Sequence, residues 1–316
     1  MFIGQVIGQL LPLDHSMYPT SVKIICAGCA MIDSIGYSKN QINVGDDVPG
    51  NIKTSVGGVA FNICKQLVLA GLTEVELLTV LGNDTKGRVI KDTCRELGII
   101  TDNIYVCHNS ETDSYLAIED AQGLKAAIAQ VKNVEKFSDK ILKPLENGTA
   151  KTKSEFSKNL IILDGNLSPS ILSKIAKNKN FMNYDVRIVS ASPAKAIRLQ
   201  PFLNLSNTTI YCNKNEAEIL CKLVFKNTKE ASSHLLKKGL GRAIVTDGAN
   251  PICDSTINQK PILILPPKVK YIRHVSGAGD YFLACHIANE INQLKKENAL
   301  AQAAKSAAKY VETEIK

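Results

Sequence analysis

The chain has 316 residues, with 38 Lys and Arg against 30 Asp and Glu, a formal net charge of +8. Apolar residues at 45% and charged residues at 22% exclude a disordered chain and are enough for a packed core. The positive charges are dispersed, the densest clusters being pairs such as Lys237-Lys238 and Lys295-Lys296, so no basic arm marks a nucleic-acid binder. No apolar run nears the ~20 residues that span a bilayer.

In chain order, residues 1–21 read as an N-terminal extension without the positive start of a secretory signal or the Arg/Ser content of a transit peptide. Val22–Cys26 is a β-type run that leads into Cys26-Ala-Gly-Cys29. No second CxxC or paired His supplies two further zinc ligands, so these are read as small buried thiols. The nine Cys, odd in number and scattered, point to a reducing compartment, and a cytoplasmic location is expected. Residues 33–55 are polar, with Gly36, Gly45 and Gly50, and hold no helix signal. Gly58 to Leu69 carries Val59, Ile63 and Leu67 on one helical stripe. Val75–Val80 reads as a strand, and Asp84 to Leu97 as a helix with Asp near its start and Gly98 beyond its end.

Residues 112–130 read as a hairpin turning at Glu119-Asp-Ala-Gln-Gly123. With residues 33–55 it predicts a small sheet with its apolar face over something, a lid beside a rigid main sheet. Residues 146–158 read as a polar surface insertion. Leu160–Leu163, Val186–Ser190, Thr208–Cys212 and Ala243–Thr246 read as strands, each followed by a helix. Ala278–Asn292 and Lys296–Glu312 read as the closing helices. The repetition predicts an α/β fold with a mainly parallel sheet covered on both faces.

The run His274-Val-Ser-Gly-Ala-Gly-Asp280 opens the helix that starts at Ala278. Small residues let backbone amides approach a ligand, and the helix N-terminus adds a positive end, so the run suits an anion. An Asp there suits a general base for a hydroxyl attacking phosphorus. The run alone reads equally as a glycine-rich helix start with an ordinary first-turn acid. Gly277-x-Gly279 is not a dinucleotide fingerprint, because Phe282 stands at its third glycine. Gly82-Asn-Asp-Thr-Lys-Gly87 has the glycine spacing of a P-loop, but Arg88-Val89 follows where Lys-Ser/Thr is needed.

Five segments together carry a resemblance: Val56-Gly-Gly-Val-Ala-Phe-Asn62, Leu81-Gly-Asn-Asp-Thr-Lys-Gly87, Asn213-Lys-Asn-Glu216, Thr246-Asp-Gly248 and Ser276-Gly-Ala-Gly-Asp280. In these the chain resembles the ribokinase family of sugar and nucleoside kinases, also called PfkB carbohydrate kinases, over about residues 22–312. The resemblance implies a ribokinase-like three-layer sandwich over residues 22–316, with a mainly parallel central sheet and a β-sheet lid near 33–55 and 112–130. Within the family, the Gly-Gly-Val-Ala-x-Asn run, Thr112-Asp-Ser-Tyr115, Leu124 to Ala129 and Asp164-Gly-Asn166 are most similar to pseudouridine kinases. Val59 stands where ribokinases proper carry Lys. Gln130-Val-Lys132, His274-Val275 and Pro251 depart from the pattern of the relatives.

The resemblance assigns Asp33 to two ribose hydroxyls, Gly57 and Gly58 to backbone contact with the sugar, and Asn62 to a ribose hydroxyl. A carboxylate can indeed accept two hydrogen bonds from a vicinal diol. Asn166 is a candidate for sugar or base, and Thr112 and Tyr115 for sensing the base or for simple packing. Asn213 and Glu216 are assigned to Mg²⁺ and the phosphates, with Glu216 as the metal candidate; Thr246 and Gly248 are assigned to the nucleotide. Gly277, Ala278 and Gly279 are assigned to the transferring phosphoryl charge, and Asp280 to general base. ATP and Mg²⁺ are the implied cofactors, with room for a monovalent cation such as K⁺, and a homodimer through the lid is allowed. The expected reaction is ATP-dependent phosphorylation of pseudouridine at its 5′-hydroxyl. Another nucleoside such as adenosine, a free sugar, or a silent kinase-like binding module are the alternatives.

Overall fold

The computed structural model describes residues 22–150, 159–179, 181, 184–273 and 275–313. The extension 1–21, most of the 146–158 insertion and His274 lie outside the described residues. In chain order the elements are β1 (Ile24–Ala27), β2 (Met31–Tyr37), β3 (Asn51–Gly57), α1 (Val59–Leu69), β4 (Val75–Leu78), β5 (Val80–Gly82), α2 (Thr85–Leu97), β6 (Tyr105–Cys107), β7 (Ser114–Asp120) and β8 (Gly123–Gln130). There follow α3 (Lys132–Lys136), α4 (Ser138–Glu146), β9 (Leu160–Asp164), α5 (Pro169–Lys177), β10 (Asp185–Val189) and α6 (Pro193–Ala196). The chain ends with β11 (Thr208–Asn213), α7 (Lys214–Cys221), α8 (Thr228–Lys237), β12 (Arg242–Asp247), β13 (Asn250–Thr256), β14 (Ile262–Ile264), α9 (Ala278–Ile291) and α10 (Lys296–Glu312).

The main sheet has the order β14-β13-β12-β11-β10-β9-β1-β4 and is parallel from β12 to β4. Alternate residues point to opposite faces of a strand, and both faces here are buried. Ile24, Cys26, Leu160 and Ile162 pack with Phe61, Ile63 and Leu67 of α1 and Leu283 and Ile287 of α9. Ile25, Ala27, Ile161 and Leu163 pack with Leu172 of α5, Leu220 of α7 and Leu235 of α8. Three layers result, helices on either side of one sheet.

Short-range signals set several ends. Asp84 caps α2 by accepting from the Gly87 N–H at 2.8 Å, and Gly98 closes it in the left-handed conformation at φ 80°. The expected strand 75–80 divides at Thr79 into β4 and β5, and β5 pairs with β6 in a separate two-stranded sheet. A helix was expected after Ala243–Thr246; instead β12 turns at Gly248 (φ 56°) into β13, which runs back antiparallel beside it. The left-handed glycine makes that tight reversal cheap.

The lid is a four-stranded sheet of order β3-β2-β7-β8. Its register places Asp33 opposite Ser55 and Tyr115, and Tyr115 opposite Ala129, on one face. Ile52, Leu116, Ile118 and Ile128 share the other face and are exposed, Ile52 at 81% and Ile128 at 68%. The apolar face was expected to cover something; within the chain it is open, and the face carrying Asp33 is the one turned to the site.

Candidate active site

Asp280 is the third residue of α9, and Gly277 precedes the helix in the left-handed conformation at φ 79°. A side chain at Gly277 would strike the Tyr310 hydroxyl at 2.9 Å, so close approach as well as backbone conformation asks for glycine. The Tyr310 hydroxyl donates to the Ser276 carbonyl at 3.2 Å and its ring stacks on Tyr281, which ties α10 to this turn. The Asn62 amide of α1 donates to Asp280 Oδ2 at 3.0 Å. Burial pushes the half-buried Asp280 up to about 7, against the Asn62 hydrogen bond that lowers it and with Asp164, Asp33 and Glu216 adding repulsion. A carboxyl poised near neutrality is suited to taking a proton.

Asp33 reaches the same place from the lid. Its carboxylate lies so close over Gly57 that a side chain there would fall 1.9 Å from Oδ2, and burial raises Asp33 to about 6. Gly58, at φ 97°, lets α1 begin against the Cys29 carbonyl, where a side chain would come within 2.6 Å. Residues 218 positions apart in the chain, Asn62 and Asp280, thus meet beneath the lid face that carries Asp33.

The first helical amides of α9 are free of intrahelical partners by geometry. The Ala278 N–H, however, donates to the Val275 carbonyl at 3.1 Å, so this residue of the expected phosphoryl cradle closes a turn, while Gly279 has open space above it. α9 is held from its far end. Glu290 accepts from Arg187 of β10 at 2.5 Å and pairs with Arg242 of β12 at 2.7 Å, and Tyr211 of β11 joins His286 of α9 at 3.0 Å. Despite the burial that would raise it, Arg187, His286 and Arg242 hold Glu290 down to about 2.

Asn213 and Glu216 form a reciprocal capping box on α7. The Asn213 side chain accepts from the Glu216 N–H, and the Glu216 carboxylate accepts from the Asn213 N–H, both at 2.8 Å. Glu216 is buried, and desolvation raises its carboxyl while Asn213 and Ser190 donors oppose the rise. One oxygen holds the cap, and a cation reached through the carboxylate's other side would relieve the desolvation, so Glu216 fits Mg²⁺ as a partner of its water shell. Among the described residues no three His, Cys, Asp or Glu side chains cluster as a direct metal site. Thr246 and Gly248 lie at the end of β12 and in the turn after it. A hollow of about 340 Å³ adjoins this turn on the α8 side, lined by Lys226, Thr228, Asp247, Asn250, Pro251 and Leu263, away from Asp280.

Asn166 is buried and committed: its backbone and side-chain N–H groups donate to Asp164 at 2.8–3.1 Å, and its carbonyl accepts from Lys195 at 2.5 Å. Asp164 also accepts from the Cys29 N–H at 2.8 Å, which fastens the strand-to-lid crossing. Thr112 packs rather than senses. It is fully buried; its hydroxyl donates to Asp84 and accepts from the Gly82 N–H, so the Gly-x-Asp-x-x-Gly segment locks the entry of β7 onto α2. Tyr115 sits beside Asp33 and packs on the cluster containing Cys29 and Leu167. Sequence reasoning missed Lys195 and Arg198, whose guanidinium pairs with Glu135 at 2.8 Å and contacts the 165–167 carbonyls. An apolar-periodic helix start after β10 offered no sign of them.

A half-buried carboxyl at a glycine-rich helix start, beneath a small separate sheet at the carboxyl ends of parallel strands, is a layout suited to a small-molecule phosphotransferase. The profile of the pfkB family carbohydrate kinases matches residues 21–314, and the chain belongs to that family. It is 27% identical over 265 residues, 83% of this chain and 81% of the relative, to the pseudouridine kinase of Escherichia coli K12. A carbohydrate kinase from Agrobacterium tumefaciens superposes with a TM-score of 0.76 at 26% identity, over 93% of this chain and 92% of that one. Arabidopsis thaliana ribokinase, solved with ribose and ATP, superposes with a TM-score of 0.75 at 18% identity over 93% and 94%, which establishes the ribokinase-like fold. Kinases of this kind transfer phosphate from ATP to an alcohol, and the protein is a phosphotransferase of that class.

Proposed function

We propose that the protein phosphorylates pseudouridine at O5′, giving pseudouridine 5′-phosphate and ADP. The observation that carries the chemistry is Asp280: at the start of α9, hydrogen-bonded by Asn62 and raised to about 7. The 5′-oxygen attacks the γ-phosphorus of ATP, the bond from that phosphorus to the β,γ-bridging oxygen breaks, and the hydroxyl proton passes to Asp280. The Gly277 and Gly279 amides, on either side of the Ala278 N–H that closes the turn, receive the phosphoryl charge at the start of α9. Asp33, over Gly57 and Gly58, accepts from the ribose hydroxyls and orients the sugar. Thr246 and Gly248 border the nucleotide, and Asn213 and Glu216 hold the hydration shell of Mg²⁺, which neutralises phosphate charge when bound. Catalysis rests on alignment and electrostatics, without a covalent enzyme intermediate.

The pseudouridine assignment is supported by the relationship to the Escherichia coli enzyme and by Val59, which removes the Lys of ribokinases proper. The exposed Ile52, Leu116, Ile118 and Ile128 face supports a homodimer that buries it. The nine cysteines, all free, support a reducing compartment and action in the cytoplasm. The test is ADP release from ATP and Mg²⁺ with pseudouridine, uridine, adenosine and ribose. The highest kcat/KM is expected for pseudouridine; a higher value for uridine, adenosine or ribose overturns the substrate assignment.

A further inference from the structure

Lys195 stands in the first turn of α6, just beyond the carboxyl end of β10, where ligands of open parallel sheets bind. Its ammonium donates to Asn166 Oδ1 at 2.5 Å and stands 3.8 Å from Glu135 Oε1, outside hydrogen-bonding reach. An ammonium has three N–H donors, so this geometry leaves donors beyond the one given to Asn166. The side chain is mostly but not wholly covered, at 19% exposure.

The neighbours decide what it can read. Asn166 is unavailable as a donor, because its amide N–H groups are turned to the Asp164 carboxylate. Asp164 is held by Cys29 as well, and Asp113 is occupied by the Asn133 and Val134 N–H groups of α3. Of these groups in the polar wall beside the ends of β9 and β10, the Lys195 ammonium keeps donors that no neighbour takes. Tyr115 packs on the core cluster that includes Cys29 and Leu167, and Asp33 adjoins Tyr115 on the same lid face. A ribose held at Asp33 with its 5′-hydroxyl at Asp280 would direct its base along this wall. Lys195 connects towards Asp33 through Asn166, Asp164 and Cys29, whose carbonyl lies against Gly58, beside the Gly57 that the Asp33 carboxylate covers.

We infer that Lys195 is a specificity-determining residue that donates a hydrogen bond to a carbonyl oxygen on the nucleobase, selecting uracil-type nucleosides over bases that present an amino group. The inference rests on the nucleoside-kinase reading above and deepens it. Uracil-type bases carry two carbonyl oxygens, whereas the exocyclic amino group of adenine is a donor and finds no acceptor in an ammonium. The competing role for Lys195 is only to balance Asp164, Asp113 and Glu135.

The test compares wild type with Lys195→Met on pseudouridine, uridine, adenosine and ribose. A hydrogen bond from a charged donor contributes about 1.5–3 kcal/mol, so kcat/KM for the two uracil nucleosides should fall about 10–100-fold, mainly through KM. The fall should be at least about tenfold larger than for ribose or adenosine. An equal loss on all four acceptors, or a loss confined to kcat, overturns the inference and leaves Lys195 a counter-charge. Should Lys195→Met fail to fold, Lys195→Gln keeps a donor for Asn166 and is read by the same ratios. Wild-type rates judge the pseudouridine assignment separately: preference for uridine would overturn that assignment and retain Lys195 as the reader. A wild type that turns over ribose alone overturns both.

Discussion

Asp280→Asn separates the chemical role of the carboxylate from its effect on the fold. The folded protein raises this carboxyl from 3.8 to about 7, so between those pH values the folded state holds a proton that the unfolded chain has released. Stability therefore falls as pH rises through that window, by up to about 1.4 kcal/mol per pH unit, and is level above it. The full shift corresponds to about 4 kcal/mol, and partial exposure of Asp280 reduces this to about 1–4 kcal/mol. Asp280→Asn abolishes the titration while an amide oxygen can still accept from Asn62. Urea unfolding at pH 8 should therefore find the variant more stable by about 1–4 kcal/mol, with the difference fading towards pH 4. Its kcat should fall about 10²–10⁴-fold, the range for a positioned general base. In the wild type, kcat/KM should rise with pH and reach half its plateau near 7, because the base must be ionised. Asn62→Ala removes the hydrogen bond that lowers Asp280 and should move this limb to higher pH. A variant with wild-type kcat, or one no more stable than wild type at pH 8, would refute the reasoning.

Three further outcomes are expected. Gly57→Ala places a methyl group 1.9 Å from Asp33 Oδ2, so the carboxylate must swing away; KM for the nucleoside should rise at least about tenfold, read from initial rates, and an unchanged KM removes Asp33 from the sugar site. Glu290→Gln removes one of two carboxylates from each of Arg187 and Arg242, which keep Asp185 and Asp254 respectively, and should cost about 1.5–3 kcal/mol in urea unfolding at pH 7. Because Glu290 is held down to about 2, the wild-type advantage is present above the ordinary glutamate value and should be lost as pH falls towards 2. Ile128→Glu places a charge on the open lid face and should convert a dimer to a monomer by light scattering; an unchanged mass refutes burial of that face.

Local chemistry made several elements legible. The Asp84 cap and Gly98 stop delimit α2, and alternating β-type runs delimit most of the parallel strands, because these patterns act within one or two turns of chain. The hairpin after β12 departs from the strand-then-helix pattern that the sequence predicts there. Pairing of Asn250–Thr256 between β12 and β14 is a choice made by its neighbours, with little mark in its own composition.

The sequence by itself determined the α/β repetition, the glycine-rich start of α9 with Asp280, and the segments that relate the chain to its family. Each is a matter of residues adjacent along the chain. Only the tertiary structure decided that Asn62 takes Asp280 as its partner, that Thr112 belongs to Asp84 rather than to a ligand, and that Asn166 is committed to Asp164 and Lys195. Apart from the local Asn166–Asp164 contact, two residues apart, those pairings join groups from different elements at single hydrogen-bond distances. A polar side chain's type says that it needs a partner, while the fold alone determines which partner reaches it first.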